Sequence, residues 1–127
     1  MKFHHIGIAC ASLDELDHYL RNHFTVTDQS ETCFDPLQNA HLCLWTLDHG
    51  TVIEGVSGLI VERLVKKGTT LYHTCYEVDN LESAQKELIE DQGILVSEHK
   101  PAVLFDQREV CFIQTPLGLI ELLQAKK

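Results

Sequence analysis

The chain is short of basic residues: ten Lys and Arg stand against nineteen Asp and Glu, a formal charge of −9. Phosphate backbones and anionic lipid repel such a surface, so no nucleic acid or membrane partner is expected and small molecules are. Long apolar runs are missing too, and none approaches the roughly 18 residues of a membrane-spanning helix. Positions 1–11 carry neither the basic start nor the apolar stretch of a secretory leader, which points to a soluble, cytoplasmic protein. Cys10, Cys33, Cys43, Cys75 and Cys111 are odd in number and show no C-x-x-C spacing. Most sit in apolar, strand-like runs, where a reduced thiol serves as a small packing group. There is no G-x-S-x-G elbow, no P-loop and no dinucleotide fingerprint opening a helix, which sets those chemistries aside. No linker rich in Pro, Gly or Ser divides the 127 residues, so a single domain with one shared core is expected over 1–127.

What is present is a pattern that runs twice. Residues 3–10 are apolar and suited to a strand. Ser12 then offers an N-cap with Glu15 three positions on, and Leu13, Leu16 and Leu20 recur at helical spacing, predicting a helix from about Leu13 to Asn22. Strand-like segments follow near 24–34, 40–47 and 51–56, parted by turn residues at Asp35-Pro36 with Gln38-Asn39 and at Asp48-His49-Gly50. A short piece from Leu59 to Lys67 ends at Gly68, a suitable residue to close a helix. The order then restarts with a strand at 71–78 and a helix opened by Asp79 or Asn80, closed by Gly93. Three segments near 94–99, 107–114 and 118–123 complete it. Two β-α-β-β-β modules result, about 1–57 and about 70–125.

Chemistry repeats along with pattern. Aligning His5-Ile6-Gly7-Ile8 with His73-Thr74-Cys75-Tyr76 brings Leu13 onto Leu81, and Val52-Ile53-Glu54 falls on Leu119-Ile120-Glu121. His73 lies 68 positions after His5, and Glu121 lies 67 after Glu54. Each module thus supplies one His early in its first strand and one Glu inside its last. A two-fold arrangement would gather two imidazoles and two carboxylates, a donor set suited to Co²⁺, Mn²⁺, Ni²⁺, Zn²⁺ or Fe²⁺. A lone Glu on an alternating strand ordinarily faces solvent, but Glu121 sits among Leu119, Ile120, Leu122 and Leu123, and Glu54 follows Val52 and Ile53. An ionised carboxylate in such surroundings costs several kcal/mol unless a cation pairs with it. His4 must point away from His5 across the strand, so the repeat selects His5. His18, His23, His41, His49 and His99 have no repeat partners and are expected at the surface or in packing.

The blocks HHIGIA, LYHTCYEVDNLESAQKEL and GLIELL resemble the vicinal oxygen chelate superfamily, the group of glyoxalase I, bleomycin-resistance proteins and extradiol dioxygenases, and within it the methylmalonyl-CoA epimerase branch. The resemblance spans nearly the whole chain and is weakest between Thr25 and Ala40. It implies an α+β, glyoxalase-like domain in which two βαβββ modules form a curled mixed sheet around a metal cavity, commonly as a homodimer. His5, His73 and Glu121 match the family's metal ligands, and Glu54 stands where those epimerases carry Gln or Glu. A metal-dependent isomerase or epimerase acting next to a carbonyl or thioester follows from the resemblance, with Glu121 as catalytic base and an acyl-CoA or hemithioacetal substrate. A lactoylglutathione lyase of the glyoxalase I type and a metal-free binding module of the bleomycin-resistance type are the alternatives. Leu37 stands where the epimerases have a glutamate, so that second proton-transfer group is missing here. Arg63, Lys66 and Lys67, the only local basic cluster, suit a helix C-terminus.

Overall fold

The computed structural model describes residues 1–127 in full. It contains nine strands and three α-helices, an α+β composition, and its contacts divide into two compact units. One unit is His5–Tyr72; the other is His73–Lys127 together with Met1–His4. No helix is long and apolar enough to cross a membrane.

In the His5–Tyr72 unit the elements are β1 (Lys2–Ala9, entering from Met1–His4), α1 (Leu13–His23), β2 (Val26–Gln29), β3 (Cys33–Asp35), β4 (Ala40–Leu47), β5 (Val52–Gly58) and α2 (Glu62–Lys67). β1 runs parallel to β5, β5 antiparallel to β4, and β2 and β3 both lie antiparallel along β4. Ser12 opens α1 as expected, its Oγ accepting from the Glu15 N–H at 3.3 Å. Leu20 of that helix is buried with Cys43 and Trp45, and Leu13 and Leu16 pack beside them. Gly55 of β5 makes this closeness feasible, because a Cβ there would lie 2.6 Å from the Trp45 ring and 2.9 Å from Leu16 Cδ2.

The single strand expected near 24–34 is instead two. Ser30 interrupts it: its N–H donates to the Leu44 carbonyl, while its Oγ accepts from the Leu44 N–H at 2.8 Å. A side-chain hydroxyl thus does the work of a backbone carbonyl, and regular pairing stops until Cys33.

Trp45 ties this sheet to α1 through its indole N–H, which donates to Asp17 Oδ1 at 2.9 Å, and Arg21 Nε donates to the same oxygen at 2.8 Å. The indole first, and the Arg21 guanidinium after it, hold the Asp17 carboxyl below the usual carboxylate range. A carboxyl depressed by folding adds stability above its unfolded pKa and loses it as pH falls through the folded value. Asp17→Ala should therefore lower unfolding free energy by about 1 kcal/mol at neutral pH and shrink the acid-side loss of stability, both readable from urea melts across pH.

The second unit holds β6 (Leu71–Val78) from His73 onward, α3 (Leu81–Glu90), β7 (Ile94–Ala102), β8 (Arg108–Thr115) and β9 (Gly118–Gln124). β6 runs parallel to β9, β9 antiparallel to β8, and β8 antiparallel to β7. Of the two candidate caps, Asn80 opens α3, its Oδ1 accepting from the Ser83 N–H at 2.9 Å. Past the end of α3 the left-handed residue is Gln92, with φ 70°, and Gly93 follows it. Gly93 is needed for space, since its N–H donates to the Leu88 carbonyl and a Cβ there would lie 2.4 Å from that oxygen. The core of this unit joins Val78, Leu81, Cys111, Ile113, Ile120 and Leu122. Arg108 links three of its strands, donating from Nη1 to Glu77 Oε2 at 2.9 Å and to the Gln124 carbonyl at 3.2 Å.

Candidate metal-binding residues

Both units place their His and Glu by the same register. Gly7 of β1 stands opposite Glu54 of β5, and Cys75 of β6 stands opposite Glu121 of β9. Side chains alternate along a strand, so the residue two positions earlier, His5 or His73, faces the same side as the glutamate. His5 Nε2 accordingly lies 3.6 Å from Glu54 Oε1, and in the other unit His73 Nε2 lies 3.1 Å from Glu121 Oε1. Fractional exposure decides against solvent-facing glutamates: His5 is 0%, Glu54 4%, His73 3% and Glu121 2% exposed.

Neighbouring strands supply the walls. Leu44 is opposite Glu54, and Phe112 is opposite Glu121. The His73 ring meets Phe112 edge-on, with centroids 5.2 Å apart. Three carboxylates lend their field to nearby thiols: burial and then the Asp35 and Glu54 carboxylates push the Cys33 thiol up, while burial and then Glu121 raise Cys111 to about 11. Cys43, Cys75 and Cys111 are buried packing groups, and Cys10 and Cys33 are half-buried. His4 projects from β1 onto Phe105, ring centroids 5.3 Å apart. His41 lies against Phe34, and His49 is exposed.

His5, Glu54, His73 and Glu121 are buried candidates to hold a metal ion. Two imidazole nitrogens and two carboxylate oxygens are donor types that suit a divalent cation of borderline softness. The donor set fits.

Sequence reasoning missed one buried carboxylate. Asp35 is fully buried, accepting from the Leu37 N–H at 2.9 Å and from Gln38 Nε2 at 2.9 Å. It stands opposite Ala40, four residues before Leu44 on β4, and so shares the sheet face of Glu54 further along. The only sequence signal was the turn chemistry at Asp35-Pro36, in which an Asp commonly accepts from the backbone two residues on. Leu37 itself is 59% exposed.

Two units, each carrying a helix and one buried His–Glu pair on its parallel first and last strands, define an α+β protein with a duplicated His–Glu arrangement. The chain belongs to the Glyoxalase/Bleomycin resistance protein/Dioxygenase superfamily, whose family model it matches over residues 4–112. Members of this superfamily commonly bind a divalent metal. No curated protein matches the sequence. Among solved structures, methylmalonyl-CoA epimerase from Mycobacterium tuberculosis is 20% identical at a TM-score of 0.81, covering 99% of this chain and 89% of that one. A Streptomyces coelicolor methylmalonyl-CoA epimerase variant in complex with 2-nitronate-propionyl-CoA is 18% identical at a TM-score of 0.75, covering 98% and 94%. Hypothetical protein BH1468 from Bacillus halodurans C-125 is 21% identical at a TM-score of 0.73, covering 99% and 95%. At these identities the likeness is one of fold.

Proposed function

We propose that this chain is a metal-dependent isomerase or epimerase that removes a proton next to a carbonyl or thioester, with His5, Glu54, His73 and Glu121 holding one divalent cation. The observation that carries this reading is the duplicated His–Glu pair, buried in both units and set by one register. Bound there, Co²⁺, Mn²⁺, Ni²⁺, Zn²⁺ or Fe²⁺ would supply a Lewis acid for the carbonyl or thioester oxygen. Glu121 is the base: its carboxylate is fixed 3.1 Å from His73 Nε2 and takes the α-proton of a substrate lying over β9. His73 orients that carboxylate and is itself held edge-on by Phe112. Phe112 and Leu44 keep water from the two glutamates opposite them, which strengthens each electrostatic contact.

The substrate is a small acyl-CoA or hemithioacetal type molecule, taken by a cytoplasmic homodimer. Leu37 offers no acid, which favours chemistry needing a single base; a lactoylglutathione lyase reaction of that sort is the second reading. Plasma mass spectrometry of the purified protein tests the metal. Near-stoichiometric transition metal is expected in wild type and its loss in His73→Ala and Glu121→Ala; a wild type that takes up no ion would leave a binding module of the bleomycin-resistance type.

A further inference from the structure

Within the His73–Lys127 unit two cations stand on the face that bears the candidate ligands: Arg108, which is paired with Glu77, and Lys100. β7 pairs with β8 so that Lys100 is opposite Val110, two residues from Phe112 and on the same face as it. The Lys100 ammonium lies 5.6 Å from the centroid of the Phe112 ring. Phe112 in turn is opposite Glu121 and edge-on to His73. Lysine, phenylalanine and the His–Glu pair therefore form one sequence across three strands. Lys100 is half-buried and makes no ion pair, in a chain whose acids outnumber its bases nineteen to ten. A lysine bound for the surface would ordinarily find a carboxylate in such company; this one is kept over an aromatic face, where its charge is stabilised and its donors stay open.

We propose that Lys100 recognises an anionic group of the substrate, and hence that the substrate carries a carboxylate at the end remote from its reacting carbonyl. The proposal rests on the function assigned above to His73 and Glu121. The Phe112 ring sets the spacing: it separates the ammonium from His73 and Glu121, so a bound molecule would lie across the ring with its carboxylate on Lys100 and its carbonyl toward Glu121. The ring offers apolar contact to the carbons between, and the ammonium supplies a charge-assisted hydrogen bond.

Succinate and its neutral diamide are the probes, titrated into the protein with Zn²⁺ and again in EDTA, with the Lys100 and Phe112 side-chain signals followed by NMR. Succinate should shift both sets of signals, and the diamide neither. In Lys100→Met, which keeps the aliphatic stem on Phe112, the succinate dissociation constant should rise about tenfold, the loss expected for one charge-assisted hydrogen bond. Lys100→Arg should bind within a fewfold of wild type, and the melting temperature should stay put in both variants. Succinate binding unaltered by Lys100→Met, or a diamide bound as tightly, overturns the proposal. Failure to take up Zn²⁺ sinks the metal reading alone: a Lys100 response to succinate in EDTA then upholds the anion site, and silence in both conditions removes it.

Discussion

In the Glu121→Gln variant, wash-in of solvent deuterium at the α-carbon of a malonyl-type thioester is expected to fall about 10²–10⁴-fold, the range lost with a positioned acid–base group. Glutamine keeps an oxygen donor and the side-chain length, so the comparison separates proton transfer from metal retention once metal content is measured on the same sample. The variant also keeps its place opposite Phe112 and beside His73, because the β8–β9 ladder that positions it is backbone. Glu54→Gln, changed at the matching position of the other module, should retain most of the exchange. That asymmetry distinguishes a base from a ligand: equal losses in both variants would mean that neither glutamate is the base and that both act only by holding the ion. Exchange undiminished in Glu121→Gln would remove it from the mechanism.

The second large effect is one of packing. Gly55→Ala inserts a methyl where the Trp45 ring would lie at 2.6 Å, Leu16 Cδ2 at 2.9 Å and Leu13 Cδ2 at 3.0 Å. Trp45 is 1% exposed and pinned to Asp17, so it cannot swing clear without breaking that bond. Overpacking of this kind costs about 3 kcal/mol, the upper end of its usual range, read as a lower urea midpoint at unchanged slope. Combining Gly55→Ala with Leu16→Ala should cost less than the two changes added, since the second removes one of the three clashes. Strict additivity would show that α1 shifts as a body.

The duplication was legible because two independent chemistries, imidazole and carboxylate, recur at offsets of 68 and 67 residues, and the registers explain why. Gly7 facing Glu54 and Cys75 facing Glu121 are equivalent pairings, each with its His two positions before the residue that faces the glutamate. Burial of the glutamates was readable from their apolar neighbours. Three features were not. The break at Ser30 depends on a hydroxyl substituting for a carbonyl in the ladder, which strand propensity does not register. At the close of α3, Gln92 takes the positive φ and Gly93 serves by lacking a Cβ, a division of roles that residue type alone does not show. Lys100 drew no notice because its meaning lies in the β7–β8 register, and that register slips twice, between Leu95 and Ser97 and between Ser97 and Lys100. No periodicity rule locates a residue beyond two bulges.

Those irregularities bear on how the chain behaves when crowded. β2 and β3 form the outer margin of the β4 side, broken at Ser30 and shifted in register between Val26 and Asp28. β7 flanks β8 with two slips and with Pro101, which has no N–H to offer. A neighbouring polypeptide seeking to extend either margin would meet a discontinuous row of donors and acceptors, so templated fibre growth is disfavoured at both despite the exposed Ile94 and Val96. Concentrated solutions should therefore stay clear of cross-β aggregates, and any self-association of the native chain should use side-chain surfaces and leave its outer ladders unextended.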